Sequence, residues 1–109
     1  MAFDEGLAEL LRSELDDLPG ITEKKMFGGL CFLQNGHMVC GVHKGGAMFR
    51  VGKTRENEAL AIDGARPMDF TGRVMGGFVD VSDEAVAGDD ARHRWMQMAL
   101  ENVADLPPK

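Results

Sequence analysis

The apolar positions of this 109-residue chain change their period twice. Over residues 3–18, Phe3, Leu7, Leu10, Leu11, Leu15 and Leu18 recur three or four apart and form one stripe, with acids on the other face. That spacing predicts an amphipathic helix. Pro19-Gly20 stops it. From Ile21 to Val51 the period drops towards two. "ITEKKMF" is a first candidate strand; "LCFLQ" and "HMVCGV" flank Asn35-Gly36, the strongest short hairpin signal a sequence offers. "AMFRV" follows a second turn at Lys44-Gly45-Gly46. Connections this short predict three or four antiparallel strands in meander order.

"KTRENEALA" (53–61) reads as a short helix, with Thr54 at the N-cap and Asn57 at N3. Asp63-Gly64 turns the chain towards two more strands, "RPMDF" and "GFVDV". Pro67 puts the first of them at an edge or at a strand start. Ser82 is placed to cap a single turn at 83–86. Asp89 or Asp90 then caps a last helix running to about Ala104, with Ala91, Trp95, Met98, Ala99, Asn102 and Val103 on one stripe. Pro107-Pro108 ends it. No linker or low-complexity segment divides the chain, so one domain, 1–109, is expected. Its class is α+β, an antiparallel sheet of hairpin-connected strands with an N-terminal and a C-terminal helix packed on it.

Composition bounds what such a domain does. At 44% hydrophobic and 28% charged, the chain has the make-up of an ordinary soluble domain. No apolar run approaches the ~18 residues a membrane span needs. The N-terminus opens on acids rather than on a basic stretch followed by an apolar one, so it is not a secretory signal. With Cys31 and Cys40 the only cysteines, a cytoplasmic location is expected. The net charge of −6 argues against indiscriminate nucleic-acid binding. The charge is unevenly spread, however. Residues 1–21 carry −5 and residues 56–109 carry −6. Between them, residues 22–55 carry +5, from Lys24, Lys25, Lys44, Arg50, Lys53 and Arg55 against Glu23. The basic middle either neutralises acidic helices packed on it or forms a binding face.

Candidate chemistry is sparse. A phosphate loop needs its glycines to open a helix, and Gly28-Gly29 opens a hairpin, so a structural role is expected for them. The order Cys31, His37, Cys40, His43 invites a zinc reading. Side chains alternate along a strand, so one tetrahedral site does not collect all four. With a two-residue loop at Asn35-Gly36, Gln34 faces His37, Leu33 faces Met38, and Cys31 faces Cys40. The two sulfurs are then neighbours, either as a cross-strand thiol pair that oxidation could close or as two small buried apolar residues. His37, His43 and His93 are scattered, and neither Ser13 nor Ser82 sits in a nucleophile-elbow pattern. No base, nucleophile and orienting group stand together, so no enzyme and no cofactor are expected. Most of the eight methionines fall in predicted elements and read as flexible core filling.

The stretch "KKMFGGLCFLQNGHMVCGVHKGGAMFRVG" resembles the N-terminal domain of the TfoX/Sxy family of bacterial competence regulators. The features that match are the basic residues before Met26, Phe27, Gly28 and Gly29, the Asn-Gly hairpin, and "MFRVG" as the next strand. "RPMDFTGRVMGGFVDV" and "WMQMALENVADLPPK" look like the remainder of the same domain. The resemblance implies a small α+β domain with a cytoplasmic, non-enzymatic, regulatory role in transcription. The family's namesakes carry a second, helical C-terminal domain, so a stand-alone form lacking it is expected here. A protein partner, such as a transcription factor, is the first expectation, with the chain as monomer or homodimer. The alternative is nucleic-acid contact through Lys24, Lys25, Arg50, Lys53, Arg55 and Arg73. A small-ligand binder or enzyme is the weaker alternative.

Overall fold

The structure, a computed structural model, describes residues 5–26, 29–43, 45–70 and 73–106. Helix α1 (Glu5–Leu15) leads into four strands in hairpin succession: β1 (Ile21–Met26), β2 (Gly29–Gln34), β3 (His37–His43) and β4 (Gly46–Arg50). Helix α2 (Glu56–Leu60) carries the chain to β5 (Ala65–Phe70) and the long β6 (Arg73–Ser82). Helices α3 (Asp83–Ala87) and α4 (Asp89–Ala104) follow. The class is α+β. All six strands join one antiparallel sheet in the order β1-β2-β3-β4-β6-β5. The expected meander holds for the first four. β6 then slots between β4 and β5, a long-range pairing no local pattern announces.

The local chemistry explains the turns. Asn35 and Gly36 both take positive φ, 52° and 86°, as a tight hairpin requires. The Ser82 hydroxyl accepts a hydrogen bond from the Ala85 N–H at 3.3 Å and caps α3. Two expected caps do not form. Residues 52–55 make a turn closed by Arg55 N–H donating to the Gly52 carbonyl, so α2 begins after Arg55 and Thr54 caps nothing. Gly88 is the N-cap of α4, and Asp89 and Asp90 sit in its first turn, where their charge favours the helix N-terminus.

The helices cover one face of the sheet. Leu7, Leu11 and Leu15 of α1, Ala59 of α2, Val86 of α3 and Trp95, Ala99 and Val103 of α4 share one core with Phe32, Val42, Ala47, Phe49, Val79 and Val81. Trp95 stacks on Phe49 at 5.9 Å and donates its indole N–H to the Ala59 carbonyl at 3.2 Å, which pins α2 and α4 to the sheet. Burying side chains of this size contributes roughly 1.5–3 kcal/mol each. One charged residue lies within the stripe of α4. Buried Arg92 donates to Glu14 of α1 at 2.5 Å, to Asp89 at 2.7 Å, and to the carbonyls of Val86 and Ala87. It clamps α1, α3 and α4 together.

The β2–β3 register departs from expectation. Gln34 faces His37 and Leu33 faces Met38 as the hairpin dictates. Val39 is then an extra residue on β3, and Phe32 faces Cys40 while Cys31 faces Gly41. Such a bulge flips every later side chain relative to a regular ladder. Cys31 and Cys40 therefore stand on opposite faces of the sheet, and the expected direct thiol pair is not made; both cysteines are free.

Candidate functional site

The second face of the sheet carries no helix among the described residues. Alternation and register place its side chains. Lys24 lies beside Cys31, Leu33 beside Met38, and Met48 between Gly41 and Asp80. Arg50 lies beside Phe78, and Arg66 beside Asp80. An antiparallel sheet with one solvated face ordinarily alternates apolar and polar residues. Here the central strands do not. The β2 run Gly29–Phe32 and the β4 run Gly46–Phe49 are buried throughout, on both faces.

Cys31 and Met48 show how. They are 0% and 4% exposed, yet neither belongs to the core under the helices. Gly41 stands between them. A Cβ there would lie 3.0 Å from the Met48 Cε and 3.2 Å from the Cys31 Sγ, so the missing side chain lets the thioether lie across the strand towards the thiol. Leu33, Met38 and Phe78 surround this patch, half-buried.

Charge frames the patch. The Arg50 guanidinium sits 5.9 Å from the centre of the Phe78 ring, a cation–π contact. Lys24 is exposed. Among the described residues no carboxylate pairs with Lys24 or Arg50. At the far side Asp80 accepts from Arg66 at 2.8 Å and from His43 at 2.6 Å. The Gly45 N–H donates to His43 Nδ1 at 3.1 Å, so Nε2 carries the hydrogen given to Asp80. Both ring nitrogens are engaged within the fold, which leaves neither for a metal or a nucleophile.

The six basic candidates divide. Lys24 and Arg50 share the open face. Lys25, opposite Leu30, points to the helix side. Lys53 extends along Gly76. Arg55 is held by Asp105 at 3.0 Å and Glu101 at 3.4 Å. The Arg73 side chain lies outside those described, as do the Met26 side chain and residues Phe27 and Gly28. Gly29 is described, and its role is steric: a Cβ would fall 2.0 Å from the Val42 carbonyl oxygen.

Of the four tempting ligands, His37 and Cys40 face the helices while Cys31 and His43 face away. Among the described residues no three His, Cys, Asp or Glu side chains converge as metal ligands would. Burial pushes both thiols up, Cys40 well above the ordinary value, which disfavours the thiolate a nucleophile needs. Two surface clefts, of about 240 Å³ between α1 and β1 and about 300 Å³ between α2 and α4, lie at or below the low end for ligand pockets. Charged side chains contribute heavily to both linings. No described helix is long and apolar enough to cross a membrane.

The sheet's free edges are guarded. β1 exposes Lys24 and Lys25 on alternate faces, and β5 carries Pro67, which has no N–H to offer a further strand. The sequence reading missed the apolar second face, although unbroken runs such as "LCFL" signal it. It also missed Arg66, Phe78 and Asp80, which only the β5–β6 register brings into the site.

No curated protein and no solved structure matches the chain. The family described as the TfoX N-terminal domain matches residues 13–103. That span runs from the last turn of α1 through every strand of the sheet to the end of α4, and on it the chain belongs to the TfoX N-terminal domain family.

Proposed function

We propose that this domain is a non-enzymatic regulatory module of the cytoplasm that acts by docking a protein partner on the open face of its sheet. One observation carries the reading: the central strands are apolar on both faces, while the described helices cover one. Exposed or half-buried apolar residues gathered at one place mark interaction surfaces more often than scattered ones do. Family membership supports the regulatory part, since the TfoX N-terminal domain is not a known enzyme family and is linked to competence. A transcription factor is the kind of partner that link favours. The guarded edges favour landing on the face over strand addition.

The test is crosslinking in native cytosol with a photoreactive residue at Met38, on the open face, or at Gln97, on the exposed side of α4. Protein captured from Met38 and not from Gln97 supports the proposal. Capture from Gln97 alone contradicts it. Tight binding of duplex DNA or RNA that falls steeply with salt would move the function to nucleic acid instead.

A further inference from the structure

We infer that the open face takes an acidic amphipathic segment of its partner, with an apolar stripe over the half-buried Leu33, Met38 and Phe78 and carboxylates on Lys24 and Arg50. The inference rests on the docking role proposed above and names the chemistry of the occupant. Three features of the face select it.

The first is charge. Lys24 and Arg50 flank the apolar patch from β1 and β4, and among the described residues neither has a carboxylate partner. Among the described residues the one acid on this face, Asp80, is already held by Arg66 and His43. An incoming carboxylate therefore meets unspent positive charge and no unpaired negative charge. A basic segment meets the reverse. Complementarity of this kind chiefly sets partner choice and association rate.

The second is the apolar centre. The half-buried Leu33 and Met38 between the cations, with the Phe78 ring beside Arg50, make an apolar surface, and the Met38 thioether re-packs around an incoming stripe. Phosphate backbones gain nothing from it, and two uncompensated cations on a chain of net charge −6 are few for a nucleic acid. The third is the cation–π pair. The Arg50 guanidinium lies 5.9 Å from the Phe78 ring centre, and its fork of N–H donors matches a carboxylate in bidentate fashion. A second copy of this chain, face to face, would bring the same two cations and, among the described residues, no unpaired carboxylate to meet them, so a twofold dimer through this face is disfavoured.

Fluorescence anisotropy with defined probes tests the inference. The probes are a labelled helical peptide with a leucine stripe flanked by glutamates, the same peptide with lysines for glutamates, and a 20-base-pair DNA duplex. The acidic peptide should bind, and the lysine peptide at least about tenfold more weakly. The double variant Lys24→Glu, Arg50→Glu should invert that order, which a merely unfolded variant would not do. Equal binding of both peptides, binding of neither, or an unchanged order in the double variant overturns the inference. Preferential binding of the duplex does so as well. The docking proposal fails separately, by its own crosslinking test at Met38, so the two failures are distinguishable.

Discussion

Substituting Gly29 by alanine tests the structural reading of the Gly28-Gly29 step in the family motif. The added methyl would sit 2.0 Å from the Val42 carbonyl oxygen, 3.0 Å from the Val42 carbonyl carbon and 3.3 Å from the His43 Cα. All three obstacles are backbone, so no side chain can swing aside. Real Cβ contacts essentially never fall below 3.0 Å, so β2 and β3 must part by about 1 Å at this point. Overpacking that moves backbone costs about 1–3 kcal/mol, and a clash with a paired strand belongs at the upper end. For a domain of this size, ~3 kcal/mol lowers Tm by roughly 12–20 °C. Gly76→Ala is the control. It adds the same methyl at an exposed strand position, where the nearest atom is the Lys53 Cε at 3.2 Å, the far end of a flexible side chain. Its expected cost is within about 0.5 kcal/mol. Urea unfolding followed by circular dichroism measures both. A Gly29→Ala cost below ~0.5 kcal/mol, or equal costs for the two variants, would refute the close-approach argument.

Other expectations concern the rest of the molecule. Arg92→Met should cost about 3–5 kcal/mol in urea unfolding, because it strips the Glu14 carboxylate of its buried partner. The double variant Glu14→Gln, Arg92→Met should recover much of that loss; failure to recover would mean the clamp acts by packing rather than charge. Hydrogen bonding from Arg12, then its charge, holds the Glu23 carboxyl below its ordinary value of 4.5. The pair's contribution is therefore full above the ordinary glutamate range and is lost as pH falls through the lowered folded value. The stability gap between wild type and Glu23→Gln should be at most ~1 kcal/mol at pH 7, since the pair is about a third exposed. It should shrink towards pH 3, and a gap that widens on acidification would reverse the sign of the argument. Neither thiol should react with a disulfide reagent in the folded protein, and mild oxidation should leave the intact mass unchanged. Loss of two hydrogens would mean that Cys31 and Cys40 meet despite the bulge.

The order of elements was legible in the sequence because each is short and bounded by Gly, Pro or Asn. Asn35-Gly36 and Ser82 were legible as well, since their roles are set within three residues. The bulge at Val39 was not. "MVCGV" is apolar throughout, so no polar position registers a slip, and counting from the turn carries Cys31 to the wrong partner. The failed cap at Thr54 has a tertiary cause. Gly52 takes φ +87° with Asn102 of α4 packed against it, and the turn this sets delays α2. The site was half legible. Lys24 and Arg50 stood out as basic residues. That they share a face while Lys25 does not depends on the register of strands three places apart in the sheet. Arg92 carried a signal of its own, a charge at stripe spacing with Trp95, Ala99 and Val103, which marks a buried cation that needs partners.

The claim that matters most is where the partner lands. The methionine ε-methyl groups report it, with half-buried Met38 on the open face and Met96 and Met98 buried on the helical side. Carbon–proton correlation spectra of the ε-methyl-labelled domain, recorded while its captured protein partner is added, make the measurement. The account predicts that the Met38 methyl shifts while those of Met96 and Met98 hold. Shifts at Met96 and Met98 with Met38 unmoved would contradict it.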